Sequence, residues 1–526
     1  MIYALKLLFP VLVVCGLAAL FLRSAFKTLL EPRQYSRAWY VIAAATVIAF
    51  LGTTNAIYAV AILVLARLAR SYLGGDMRAN LAAFVLLIFV LPPLTWQVGG
   101  LGDINYLLSL SGPRLLALAL LVGPALSLLG DRRIRREPWV APLDFAVLGY
   151  QVIKIALLTP GSAITTVFRS MVESGLDVLL PYYVMSRAIR KEADLRFILS
   201  HGMLGLAFQA AVGFTEFFVH RDLYSELQWV YGYKWQLTMN LMRGDHLRVQ
   251  GATPQPIVYA FEMIFALGLW TWLRGRDWAQ WPVRGVYALL ACALFFTFSR
   301  GPWLGGLAFG GALLAVRKLS VKAFVGLLVA LIVAAVLVKV TGVDATIIAM
   351  MGSVFGSSDA DMSTIVYRNQ LLDTALALLK QSPWLGVPNY AAQMQDLRQG
   401  EGIIDLVNSY IAIALDAGVI GLVVYLLPYL LVLRRLLRVP GVSRRGVVGV
   451  GDPSTGWFAA TLLAMSIAML LTIFTTSVFF TMPFMLILLI ALPIARLSMK
   501  AEEVDIPLEI KPPPGHGLHQ RAVILR

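Results

Sequence analysis

Arginines recur in this chain where apolar stretches end, in places where they could meet an anion. Ser299-Arg300-Gly301 closes one apolar stretch and opens the next. Arg248 begins the run Arg248-Val-Gln-Gly251-Ala-Thr253-Pro254-Gln-Pro256, which leads into another, and Arg368 lies near the start of a charged, helix-competent segment. A guanidinium is planar, permanently charged and shaped for bidentate contact with phosphate oxygens. Three of them on one face of a membrane would make a cradle for a diphosphate. Each alone has a plainer use: an arginine at a span end can snorkel to the interface, and an exposed one is commonly a solvated charge.

The other groups that could do chemistry lie close by in sequence. Asp405 precedes Leu-Val-Asn408-Ser409-Tyr410, where the chain re-enters an apolar run. Desolvation there would raise a carboxylate towards the range of a useful base; the alternative use is to cap the helix that begins near Asn408. Glu216 stands near the end of one apolar run, and Glu173 and Asp177 stand inside another. Carboxylates in such places are functional candidates or partners for arginines. His220 and His246 are further ionisable groups on the same side, although a lone histidine is more often structural. Asp405, Arg300 and Arg368 are therefore the expected catalytic residues, with Arg248, Ser299, Glu216, His246, Asn408 and Tyr410 expected to bind substrate. Neither HExxH nor CxxC occurs on that face, and no metal is expected. GxxxxGK[ST] is also missing, which argues against direct coupling to ATP, and no cofactor is expected.

These residues need elements to hold them. The 526 residues are 59% hydrophobic and 14% charged, with a mean hydropathy of +0.77; soluble chains carry about 25% charged residues. The chain therefore reads as an all-α, polytopic transmembrane bundle. Its net charge of +15 is explained by basic cytoplasmic loops rather than by nucleic acid. Apolar runs long enough to count as spans occur at 2–22, 38–52, 54–68, 79–100, 113–130, 139–159, 170–187, 197–219, 256–273, 284–299, 301–316, 323–342, 409–433, 456–478 and 482–498, roughly fourteen or fifteen crossings. The run at 2–22 reads as a first span rather than a cleavable signal. Cys15 and Cys292 both lie in apolar runs, so no disulfide framework is implied.

Basic clusters fall at every second loop, at 23–37, 67–78, 132–136, 187–196, 274–284, 317–322 and 434–445. Setting them all in the cytoplasm gives one alternating topology. Two sizeable loops, 220–256 and 342–408, then face outward. The second should carry its own helix, from N-cap options at Asp361, Ser363 and Thr364 to a stop at Pro383. The turn Pro383-Trp384-Leu385-Gly386-Val387-Pro388 should then fold back to the interface. The expected divisions are N-terminal spans at 1–199, a core at 200–435, C-terminal spans at 436–498 and a Pro-rich cytoplasmic tail at 499–526.

Taken in order, several short motifs resemble those of the O-antigen ligase and Wzy-type O-antigen polymerase superfamily of bacterial envelope glycosyltransferases. Phe298-Ser299-Arg300-Gly301 looks like its Ser-Arg-Gly span end, and Arg248…Gly251…Pro254 is similar to its Arg-x-x-Gly…Pro motif. Arg368 followed by Pro383-Trp-Leu-Gly386 resembles the opening of its large periplasmic loop, and Asn408-x9-Gly418-x-x-Gly421 the end of that loop. The resemblance spans roughly 200–435. It implies a bacterial inner-membrane enzyme with a periplasmic site, an undecaprenyl-diphosphate-linked oligosaccharide as donor, and a chain-length regulator as partner. In the ligases a histidine precedes the motif's asparagine and is the proposed base. Here that position is Val407, which cannot accept a proton, so the resemblance leans to a polymerase with Asp405 as first choice of base and His246 and Glu216 next; a ligase passing glycan to lipid A core or another acceptor is the alternative, and a non-enzymatic flippase or transporter of the lipid-linked oligosaccharide the second.

Overall fold

The computed structural model describes residues 2–51, 55–100, 106–131, 137–224, 227, 241–243, 246–275, 277, 280–318, 359–397, 406–442 and 453–499. The apolar run at 323–342, Asp405, the tail from 500 onward and the side chain of Arg368 lie outside this description.

The chain begins with α1 (Ile2–Phe26), α2 (Pro32–Leu51), α3 (Asn55–Leu73) and α4 (Met77–Ile88). A hairpin of β1 (Thr95–Gly99) and β2 (Tyr106–Ser111) follows, antiparallel, with Thr95 opposite Ser111. Next come α5 (Gly112–Leu120), α6 (Val122–Leu129), α7 (Ala141–Leu158), α8 (Ile164–Ser174), a π-helical turn at Gly175–Leu179, α9 (Leu180–Arg187) and α10 (Glu192–Val219). A two-residue ladder of β3 (Met242–Arg243) and β4 (His246–Leu247) precedes α11 (Pro256–Arg274), α12 (Trp281–Phe295) and α13 (Arg300–Lys318). The last helices are α14 (Asp359–Gln381), α15 (Ser409–Leu437), α16 (Pro453–Ile473) and α17 (Met482–Leu497).

Apart from those at 323–342 and 79–100, the apolar runs named above fall mainly on helix. The run at 79–100 does not continue as one span: its helix stops at Ile88 and the remainder enters the β-hairpin. The run at 113–130 bends by 41° between α5 and α6. Among the described residues seven helices are long and apolar enough to cross a membrane, or eight if that bent pair is one span. The protein is thus a multi-pass membrane bundle. Helices α10 and α11 form its centre, almost wholly buried, while α1, α7 and α15 show an apolar face outward.

Among the described residues, basic side chains of the clusters at 67–78, 187–196 and 274–284 meet at one end of this bundle. Arg496 at the end of α17 pairs with Glu192 at the start of α10 at 2.7 Å, and Arg78 approaches Asp194 at 3.6 Å. Arg196 donates to the Leu273 carbonyl at the end of α11, and Arg274 bonds the Thr28 hydroxyl beyond α1. Arg187 pairs with Asp144 at 2.6 Å at the start of α7. Arg248 and Ser299 stand at the other end, at the turn that follows α12.

Between the ends, α15 is broken. Gly418 has φ 66 and ψ −172, which interrupts the helical ladder. The turn after α14 occupies the break: Val419 and Ile420 donate to the carbonyls of Pro383 and Trp384, and Val387 donates to the Leu415 carbonyl at 2.6 Å. A helix broken at membrane depth must find partners for its freed backbone groups, and here a protein turn supplies them. Trp384 and Leu385 at its tip are exposed, beside the exposed side chains of Val419 and Ile420. The turn thus packs back onto α15. Leu371, Ala375 and Leu378 of α14 complete the joint by packing on Met394 and Leu415.

Candidate functional site

The site is built on the reversal between α12 and α13. Phe298 takes φ 47, a conformation uncommon for a bulky side chain. The reversal turns its carbonyls towards two guanidiniums. Arg248 donates through Nε to the Thr297 carbonyl at 3.0 Å and through Nη2 to Ser299 Oγ at 2.9 Å. Arg243 donates through Nη1 to the Phe298 carbonyl at 2.7 Å. The His246 ring lies flat over Phe298, centroids 5.3 Å apart and planes 4° off parallel. Arg300 follows as the first residue of α13 and is exposed.

An arginine at that position runs against the helix dipole, whose N-terminal end is positive and favours negative groups. The first turn of α13 holds no acidic residue. Two guanidiniums therefore bind one turn at a helix N-terminus, a place suited to an anion, and Arg300 is the first helical residue after it.

The start of α13 is fixed by packing. A Cβ at Gly301 would overlap the Thr475 hydroxyl, and one at Gly305 would overlap that of Thr472. These glycines let α13 lie directly on α16; Gly306 likewise lies tight on Leu294, whereas a Cβ at Gly310 or Gly311 would meet nothing within 4 Å.

The start of α15 converges on the same end of α16. Ser409 donates from both its backbone N–H (3.1 Å) and its hydroxyl (2.6 Å) to the carbonyl of Thr476, the neighbour of Thr475. Asn408 is the N-cap: its Oδ1 accepts from the N–H groups of Tyr410 at 3.1 Å and Ile411 at 3.3 Å. The capping use weighed for Asp405 is thus filled by Asn408. Tyr410 donates its hydroxyl to the Leu470 carbonyl at 2.7 Å. Asn408 and Tyr410, expected to touch substrate, hold α15 in place through these bonds. Val407, just before the cap, has φ 48, an outlier for a β-branched residue.

Glu216 is fully buried at the end of α10. Its Oε1 accepts from the Leu223 N–H at 2.9 Å; its Oε2 accepts from Gln250 at 3.1 Å and Gly251 at 2.8 Å. The carboxylate thus faces the Arg248 segment rather than an open cavity. Glu173 and Asp177 belong to another cluster, where both pair with Arg114, at 2.8 and 2.7 Å. His220 ends α10 in a left-handed conformation.

The structure therefore unites Arg248, Ser299, Arg300 and His246, and sets Asn408 and Tyr410 next to them across α16. The backbone of Arg368 lies on α14, one turn before buried Leu371. The sequence reading missed Arg243, whose one available signal was its position five residues before Arg248. It also missed Thr472, Thr475 and Thr476, legible as a threonine cluster closing an apolar helix.

Residues 285–426 match the family model described as O-Antigen ligase. No match to a curated protein was found. The matched segment begins within α12, so Glu216, Arg243 and Arg248 lie before it. Over this segment, which holds Ser299, Arg300, Arg368, Asp405 and Asn408, the chain is similar to the O-antigen ligase family.

Proposed function

We propose that the protein is a polysaccharide polymerase, transferring glycan from an undecaprenyl-diphosphate-linked donor to a hydroxyl of an acceptor repeat unit. The reading rests above all on one observation: Arg243 and Arg248 bind the turn that leads into Arg300 at the N-terminus of α13, at the end of the bundle opposite the ion pairs of Glu192 and Asp144. Under the positive-inside rule that end faces the periplasm of a bacterial inner membrane.

As the glycosyl bond breaks, negative charge grows on the departing diphosphate. Cations already held in place stabilise that charge most where it develops. Arg300, with Arg248 and Arg368, would hold the leaving group, and the lipid would lie along the apolar face between spans. An acceptor hydroxyl gives its proton to Asp405 and its oxygen attacks the anomeric carbon, with inversion, as the carbon–oxygen bond to phosphate breaks. The energy comes from the glycosyl diphosphate itself, which fits a sequence without an ATP-binding motif. The guanidiniums do the work a metal would otherwise do. A chain-length-regulating copolymerase would be its partner.

Transfer to lipid A core, a ligase activity, is the second reading, supported by the description of the matched family. Val407 before Asn408 favours polymerisation. Purified protein supplied with lipid-linked repeat units alone should yield a ladder of longer lipid-linked products. Products that form only after lipid A core is added would establish the ligase instead. Unchanged donor in both reactions, from protein that is folded, would remove both readings.

A further inference from the structure

The segment that carries Arg248 has almost no secondary structure of its own, yet its backbone is pinned at successive residues. Arg248 N–H donates to the Leu241 carbonyl and Val249 N–H to the Phe296 carbonyl. Gln250 and Gly251 both donate to Glu216 Oε2, and Ala252 donates to Gln209 Oε1 at 3.0 Å. Gly251 has φ 53, and a Cβ there would press on Gln209 and Tyr259. Glu216 reaches the other side of the outer loop as well, through Leu223. One buried carboxylate on α10 therefore gathers both ends of the loop between α10 and α11.

We propose that Glu216 is a positioning residue: by clamping the 248–251 segment to α10 it holds Arg248 against the Thr297–Ser299 turn and so fixes where α13 presents Arg300. This rests on the glycosyl-transfer reading above, and it assigns to Glu216 a structural route to the reaction rather than contact with substrate. The carboxylate suits the task because it offers acceptors only. Glutamine has the same shape but keeps a single acceptor oxygen and turns an N–H₂ group towards backbone donors, which leaves at least one of them unsatisfied.

Two measurements test it. The first does not depend on the reaction: hydrogen exchange of the full-length protein in detergent, wild type against Glu216→Gln. Exchange in peptides covering 221–224 and 248–252 should rise by roughly tenfold or more, while α11 stays protected; unchanged exchange in those peptides would overturn the clamp. The second is a double-mutant cycle on donor kinetics. Glu216→Gln should lower kcat/KM for the lipid-linked donor by roughly tenfold, and combined with Arg248→Ala it should do no further harm beyond Arg248→Ala alone. Multiplied losses in the double variant, or wild-type kinetics in Glu216→Gln, would overturn action through Arg248. A wild-type protein that transfers no sugar would sink the functional reading and leave the exchange result to decide the clamp.

Discussion

Gly301 at the start of α13 lies directly against Thr475 beyond α16, with no room between them for a methyl group. One turn on, Gly305 repeats the contact against Thr472 and Ile264. Arg300 is therefore held at a fixed point relative to α16 by the absence of side chains on its neighbours. Gly305→Val should force the helices apart and cost about 1–3 kcal/mol, read as a lowered unfolding temperature in detergent together with lost transfer. Gly310→Ala is the matched control, since a Cβ there meets nothing within 4 Å; it should be neutral or mildly stabilising.

Gly418 and Gly386 make the joint between the turn at 383–388 and α15. Gly418 has a backbone conformation open essentially to glycine alone, and a Cβ on it would run into the backbone of Trp384. Gly418→Ala should cost at least about 1–3 kcal/mol and release the turn at 383–388. Faster hydrogen exchange at Val419 and Ile420 would register the release. Unaltered protection at those two amides would show that the turn does not splint the break.

Asn408 separates anchoring from chemistry. Its side chain caps two N–H groups, so Asn408→Ala should lower stability by about 1 kcal/mol and Asn408→Asp should keep most of it. Thermal unfolding of the two variants checks this. A loss of transfer in Asn408→Asp at unchanged stability would instead put Asn408 in contact with substrate.

Much of this arrangement could be read from the sequence, for physical reasons that differ from residue to residue. Long apolar runs give helices because a bilayer leaves the backbone few alternatives, and basic clusters mark one end of the bundle because loop charge follows topology. The β-hairpin at 95–111 could not be read this way, since a short apolar run has no period that separates strand from helix. Asp177 and Glu173 were legible as members of an ion pair, but not their partner Arg114, which lies 63 and 59 positions away. Glu216 announced itself as a buried carboxylate; that its partners are backbone amides depends on the path of a loop, which side-chain types do not record. The break in α15 needed both glycines and a returning turn, and the sequence shows the glycines without their conformations.

The Arg114 cluster yields a stability prediction independent of function. Arg114 is largely buried and bonds two carboxylates and the Ser109 carbonyl. Arg114→Met should leave two half-buried carboxylates without their partner and cost about 1–3 kcal/mol. Adding Glu173→Gln and Asp177→Asn to that variant should recover a large part, measured as the unfolding temperature; no recovery would mean that the arginine's packing matters more than its charge.

The most direct test of the account is the rate of sugar transfer by Arg300→Ala and Arg300→Lys, measured with purified protein and a lipid-diphosphate-linked repeat unit. Arg300 is exposed, so both variants should fold as the wild type does. The account predicts that Arg300→Ala falls by roughly a hundredfold or more, with Arg300→Lys retaining part of the activity because charge is kept while the bidentate geometry is lost. An Arg300→Ala protein that elongates the donor at the wild-type rate would contradict it.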